Sequence, residues 1–105
     1  MPFECIAAVD DLWRGEMRGY LVRGKKVLLI RVEDSIHAYE DRCAHLGVPL
    51  SKGSLDGCVL TCSAHHWQFD VRTGRGVNPT SARLTPVPVE VRGGKISVDV
   101  SEVTA

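Results

Sequence analysis

Val87-Pro88-Val89-Glu90-Val91-Arg92-Gly93-Gly94-Lys95-Ile96-Ser97-Val98-Asp99-Val100 is the stretch that decides the fold. Valines at 87, 89 and 91 alternate with other residues, and Ile96, Val98 and Val100 repeat the pattern after Gly93-Gly94. A period of two sends one set of side chains to one face of a strand, and a Gly-Gly pair between two such runs turns a hairpin. The stretch is a hairpin with one buried face. The same grammar holds upstream. Phe3–Ala8 reads as a first strand, and Asp10-Asp11-Leu12-Trp13 as one turn of helix capped by an aspartate. Arg18–Arg23 and Lys26–Val32 flank Gly24-Lys25 as a second hairpin. Glu33-Asp34-Ser35 turns the chain again into Ile36–Glu40, the third strand of a meander. The chain is all-β.

The pattern breaks between Asp41 and Thr80, where Gly, Ser, Cys and His dominate and only Cys58–Thr61 and Trp67–Val71 are apolar. Asp56-Gly57 and Thr73-Gly74 are the turn signals there. The expected organisation is one domain over 1–105. It is an antiparallel β-sandwich or small barrel whose basal sheets come from about 1–41 and 81–100. A subdomain over about 42–80 is inserted into it, and a short tail spans 101–105.

Thirteen basic residues balance thirteen acidic ones, which argues against a nucleic-acid binder. Apolar runs such as Val27–Ile30 are strand-sized and far short of a membrane span. Met1-Pro2-Phe3-Glu4-Cys5 has neither a basic nor an apolar signal segment, so a cytoplasmic location is expected. The four cysteines are then thiols or metal ligands, not disulfides. A core this small gains from a cofactor that ties two loops together.

Such a cofactor is signalled by Cys43-Ala44-His45 and, after sixteen intervening residues, Cys62-Ser63-Ala64-His65. Two thiolates and two imidazoles, one of each per cluster, form a metal site. A two-iron, two-sulfide centre with thiolates on one iron and histidines on the other needs this set. Structural zinc also takes two Cys and two His. Zinc motifs, however, pair like with like, and Cys-x-His is tight for chelating one ion. Glycines at 47, 53, 74 and 76 would let backbone N–H groups approach inorganic sulfides. A Cys-x-x-x-His register would substitute His66 for His65, leaving His65 or His66 as the fourth ligand. Cys5 and Cys58 lie in apolar stretches and read as small buried hydrophobes. His37 reads as a surface histidine and Trp13 as core filler beside Leu12.

Over nearly its full length the sequence resembles the Rieske ferredoxins. It is most similar to those serving multicomponent diiron aromatic or alkene monooxygenases of the toluene 4-monooxygenase type. The residues that carry the resemblance are Cys43, His45, Cys62 and His65, with Phe3-Glu4-x-Ile6 and Asp10-Asp11-Leu12-Trp13-x-Gly15-Glu16-Met17. His66-Trp67-x-Phe69 and Thr73-Gly74-x-Gly76-x-Asn78-Pro79 add to it. The resemblance implies a Rieske fold with one [2Fe–2S] cluster, His65 as the fourth ligand and His66 a polar neighbour at the rim. Cys43 and Cys62 would hold the buried iron. His45 and His65 would hold the outer one through Nδ1, with Nε2 toward partners. Leu46, Gly47, His66, Trp67, Phe69, Gly76 and Pro79 would surround and cover the cluster.

High-potential respiratory members add a disulfide and two hydroxyls beside the cluster. Those positions fall here on Val48 and Ala64, and on Trp67 and Phe69, so neither device exists. Fewer hydrogen bonds to the sulfides stabilise the reduced state less, placing the potential at about −200 to −100 mV, low in the Rieske range. The sequence shows no nucleotide loop or nucleophile triad, so the expected role is a one-electron carrier and not an enzyme. The carrier would take electrons from an NADH-dependent flavin reductase and deliver them to the oxygenase hydroxylase. It would dock transiently, as a monomer, through a patch around His45, His65 and Pro79. The alternatives are a ferredoxin of a ring-hydroxylating dioxygenase, a relative of the nitrite-reductase small subunit, or a zinc-stapled binding module.

Overall fold

The computed structural model describes residues 3–42, 49–63, 66–78 and 80–101. Among these described residues, ten strands form three antiparallel sheets. β1 (Glu4–Ala8), β10 (Lys95–Val98) and β9 (Val89–Arg92) form one, in that order. β2 (Met17–Val22), β3 (Lys25–Val32) and β4 (Ser35–Glu40) form the second. β5 (Ser54–Asp56), β6 (Val59–Thr61), β7 (Gln68–Asp70) and β8 (Arg75–Asn78) form the third. The all-β expectation holds. Among the described residues no helix is long and apolar enough to cross a membrane.

The meander sheet β2–β3–β4 is the middle layer, and β3 explains why. Val27, Leu28, Leu29 and Ile30 are all fully buried. Alternation sends Val27 and Leu29 to one face, where they meet Ile96, Val98 and Val87 of the terminal hairpin. Leu28 and Ile30 go to the other face, against Leu50, Leu60 and Phe69. A continuous apolar run is what a strand covered on both faces requires, and each such side chain contributes roughly 1.5–3 kcal/mol. The third sheet is tied back to the middle one by Tyr39, whose hydroxyl donates to the Val71 carbonyl at 2.7 Å. The chain then runs beside β4: Glu40 N–H donates to Thr85 O (2.9 Å) and Val87 N–H to Ala38 O (3.0 Å).

The hairpin at Gly93-Gly94 forms as read, with both glycines at positive φ and Arg92 paired to Lys95. Two-residue turns with φ > 0 at both positions match the twist of the flanking strands. The upstream hairpin turns one residue earlier than expected. Val22 pairs with Lys25, so Arg23 (φ 52°) and Gly24 (φ 79°) are the turn and Lys25 opens β3. The short helix is a 3₁₀ turn over Val9–Asp11. Its aspartate does not cap from the front: Asp11 reaches back from the third position and accepts the Ala8 N–H at 2.9 Å.

Four single-residue expectations are corrected. Trp13 is 78% exposed while Leu12 is buried. Leu12 has extended backbone, so consecutive side chains point in opposite directions and only one enters the core. Cys5 is exposed because it pairs with Ser97, the outward position between buried Ile96 and Val98 on β10. Cys58 is half-buried against the Leu60–Phe69 core, closer to its reading. Val91 is 47% exposed, because β9 is an edge strand and Val91 stands next to its turn. His37 is not a surface residue. It lies within β4 opposite Ile30, half-buried on the face toward the third sheet.

Candidate metal centre

The second ligand loop, which carries Cys62, joins β6 to β7 in the third sheet. β6 and β7 pair from Val59–Asp70 to Thr61–Gln68, and one further rung follows, in which Cys62 N–H donates to Trp67 O at 2.8 Å. Inside that rung the His66 N–H donates to Cys62 O at 3.1 Å, and His66 takes a left-handed φ of 59°. Cys62 thus stands on the last rung of a ladder. Its thiol is free, and the residue is 1% exposed in the core with Leu50, Leu60 and Phe69. Phe69 is fully buried beneath it and Trp67 packs against the same core. His66, by contrast, is exposed. With Lys52, Gly53, Ser54, Thr61 and Ser63, Cys62 and His66 line a cleft of about 320 Å³.

Cys43, His45, Leu46, Gly47, His65 and Pro79 lie outside the described residues. Among the described residues no three His, Cys, Asp or Glu side chains group as a metal site. The fit to the donor set therefore rests on Cys62. A buried thiol alone behaves as a small hydrophobe. A thiol fixed at a loop mouth by flanking backbone hydrogen bonds is also a soft ligand held in place, and it suits iron–sulfur ligation.

Gly53, Gly74 and Gly76 play a different part from the one expected. Gly53 N–H donates to Leu50 O (2.9 Å), Gly74 N–H to Asp70 O (2.7 Å) and Gly76 N–H to Ala82 O (2.7 Å). All three donors are committed to the protein and none is open to a sulfide. Gly53 is needed because a Cβ there would overlap the carbonyl of Thr61, the residue before Cys62.

Two constellations escaped the sequence reading. At the base of the first loop, the Asp41 carboxylate accepts the Ser51 N–H on Oδ1 and the Ser51 hydroxyl on Oδ2, both at 2.8 Å. The available signal was an acidic residue closing a strand just before the loop and a serine just after it. Between the layers, His37 faces Asp70 on β7. Burial pushes the His37 imidazole below its usual 6.5, and the Asp70 charge pulls part of the way back. Asp70 itself is held below the usual carboxylate value, chiefly by the Arg72 side chain, which bonds it through Nε and Nη2, and then by the Arg72 backbone N–H. Burial, then Asp70, raises Tyr39.

These shifts predict an acid-side loss of stability. A depressed folded-state value means that the unfolded chain binds the proton more readily. The His37 contribution is complete above about pH 6.5 and falls away as the pH drops through its lower folded value; that of Asp70 is lost at more acid pH. Urea unfolding at pH 7, 6 and 5 should show stability falling with pH. His37→Gln should flatten that slope relative to wild type, and equal slopes in the two proteins would contradict the assignment.

Residues 3–89 match the model of the Rieske [2Fe-2S] domain, and the chain belongs to that family. The family's [2Fe–2S] cluster is its cofactor. The chain is 45% identical over 95 residues to the ferredoxin component of the alkene monooxygenase system of Xanthobacter autotrophicus (strain ATCC BAA-1158 / Py2). That match covers 89% of this chain and 77% of the relative. It is 33% identical over 95 residues to the naphthalene 1,2-dioxygenase ferredoxin component of Pseudomonas aeruginosa, covering 90% and 91%. Among solved structures, it superposes with a TM-score of 0.84 at 33% identity on a chain of the complex of reduced oxygenase and oxidized ferredoxin in carbazole 1,9a-dioxygenase. That superposition covers 92% of each chain.

Proposed function

We propose that the protein is a one-electron carrier that takes electrons from an NADH-dependent flavin reductase and passes them to the hydroxylase of an aromatic or alkene monooxygenase. The observation that carries this reading is the likeness, over nine-tenths of the chain, to a ferredoxin component of an alkene monooxygenase system. In this reading Cys43, His45, Cys62 and His65 are the ligands. Residues 42–80 form the cluster-binding subdomain and the sheets at the two ends of the chain form its base. When bound, the cluster supplies a reversible one-electron site. Cys62 would hold the cluster from the last rung above β6 and β7. Phe69 and Trp67 would keep water from it, and the exposed His66 would lie beside it. Neither Trp67 nor Phe69 supplies a hydroxyl, which keeps the potential low and suited to a flavin donor. The carrier acts as a monomer in the cytoplasm, through brief encounters with both partners.

A second reading, service to a ring-hydroxylating dioxygenase, is favoured by the likeness to the naphthalene dioxygenase ferredoxin. Reconstituted turnover decides between them. With NADH and a reductase, product should form with a diiron hydroxylase and only weakly with a dioxygenase terminal component. The reverse ranking would select the second reading. No electron delivery to either would overturn both.

A further inference from the structure

We infer that Asp41 and Ser51 act as a positioning clamp that closes the base of the first ligand loop and governs how firmly Cys43 and His45 retain the cluster. The inference rests on the ligand assignment proposed above.

Asp41 is only 6% exposed. Burying a carboxylate is costly unless it is hydrogen-bonded. Both of its oxygens are satisfied by a single residue ten positions later, at 2.8 Å each. The two residues bracket the loop. Asp41 follows the end of β4 and is held by its own N–H to Lys26 O at 3.1 Å, and Ser51 follows the fully buried Leu50. The clamp thus fixes both ends of the segment that carries one thiolate and one imidazole. Closing a loop costs entropy, and a ligand set on a closed loop need not pay it again at binding.

β2 also makes room for the pair. A Cβ on Gly19 would sit 2.6 Å from Asp41 Oδ2 and 3.0 Å from Ser51 Oγ, so only glycine leaves the carboxylate where it is. The sheet core does not need the clamp. Leu28, Ile30 and Phe69 bury their surfaces without it.

The test measures release of the cluster from holoprotein to an iron chelator, followed by the loss of visible absorption. Asp41→Asn and Ser51→Ala should each release it about tenfold faster, the scale set by losing one hydrogen bond to a charged group. The double variant should be little worse than either single one, since the two residues form one device. Gly19→Ala should behave likewise by displacing the carboxylate, and Ser51→Thr, which keeps the hydroxyl, should retain wild-type release. The paramagnetic resonance lines of the reduced Asp41→Asn protein should broaden, because the loop holds a histidine ligand. Wild-type release rates in the single variants would overturn the clamp, as would additive single effects or a Ser51→Thr protein as leaky as Ser51→Ala. A wild-type protein that carries no cluster at all would overturn the ligand assignment and the clamp with it. A coloured wild type with unaffected variants overturns the clamp alone.

Discussion

Cys62→Ala protein is expected to purify colourless, with electron delivery reduced more than about 100-fold, beyond what losing an outer partner of a metal ligand costs. The expectation follows from where Cys62 sits. Its N–H closes the last rung above β6 and β7, and its thiol lies free among Leu50, Leu60 and Phe69. The other described cysteines give the contrast. Cys5 is exposed on β1, and Cys58 sits in the β5–β6 turn. Cys5→Ala and Cys58→Ala should keep the colour and the activity. Visible spectra and iron content of the three variants check this, and a coloured, active Cys62→Ala protein would remove Cys62 from the ligand set.

Phe69→Ala should produce the largest loss of stability of any single truncation under the site. Phe69 is fully buried on β7 and stands opposite Leu60 on one side and Gly76 on the other. Truncating a buried Phe costs about 3–5 kcal/mol in lost transfer energy and residual cavity. Domains of this size have about 5–15 kcal/mol in total. The melting temperature should fall by more than about 10 °C, given roughly 4–8 °C per kcal/mol at this length. The cluster should be lost well below that melt, because the rung that holds Cys62 is built on β7. Trp13→Ala is the control: the ring is exposed, so stability should change by no more than about 0.5 kcal/mol. Thermal melts of both variants test the pair. A Phe69→Ala protein as stable as wild type would show that this layer is not what supports the loop.

The sheets were legible wherever a local pattern decides them. Val89 and Ile96–Val98 declare one face by alternation, and Gly93-Gly94 can hardly be anything but a tight turn. The unbroken run Val27–Ile30 marked a strand but not its neighbours. Only the stacking of three sheets makes it the centre. Errors cluster where burial depends on partners distant in sequence. Leu12 and Trp13 are equally apolar, and which one turns inward is set by the extended backbone after the 3₁₀ turn. Cys5 looked buried because Ile6 is its neighbour, yet its cross-strand partner is Ser97. His37 reads as a surface residue because Asp70, which it faces, is thirty-three residues away in sequence. In the proposed site, the assigned ligand types and their spacing are local features of the sequence. The Asp41–Ser51 pair is not, since neither residue is unusual until the two meet. Glycine types alone suggest backbone N–H groups brought close to sulfides, whereas Gly53 makes space for the Thr61 carbonyl and Gly74 lies against the Tyr39 ring.

The most direct test of the account is the electron paramagnetic resonance spectrum of dithionite-reduced protein purified without oxygen. A single rhombic signal, with its average g below the free-electron value and about one spin per chain, is predicted for one histidine-ligated [2Fe–2S] cluster. A silent, colourless sample containing one zinc per chain would contradict it and would make the chain a zinc-stapled binding domain.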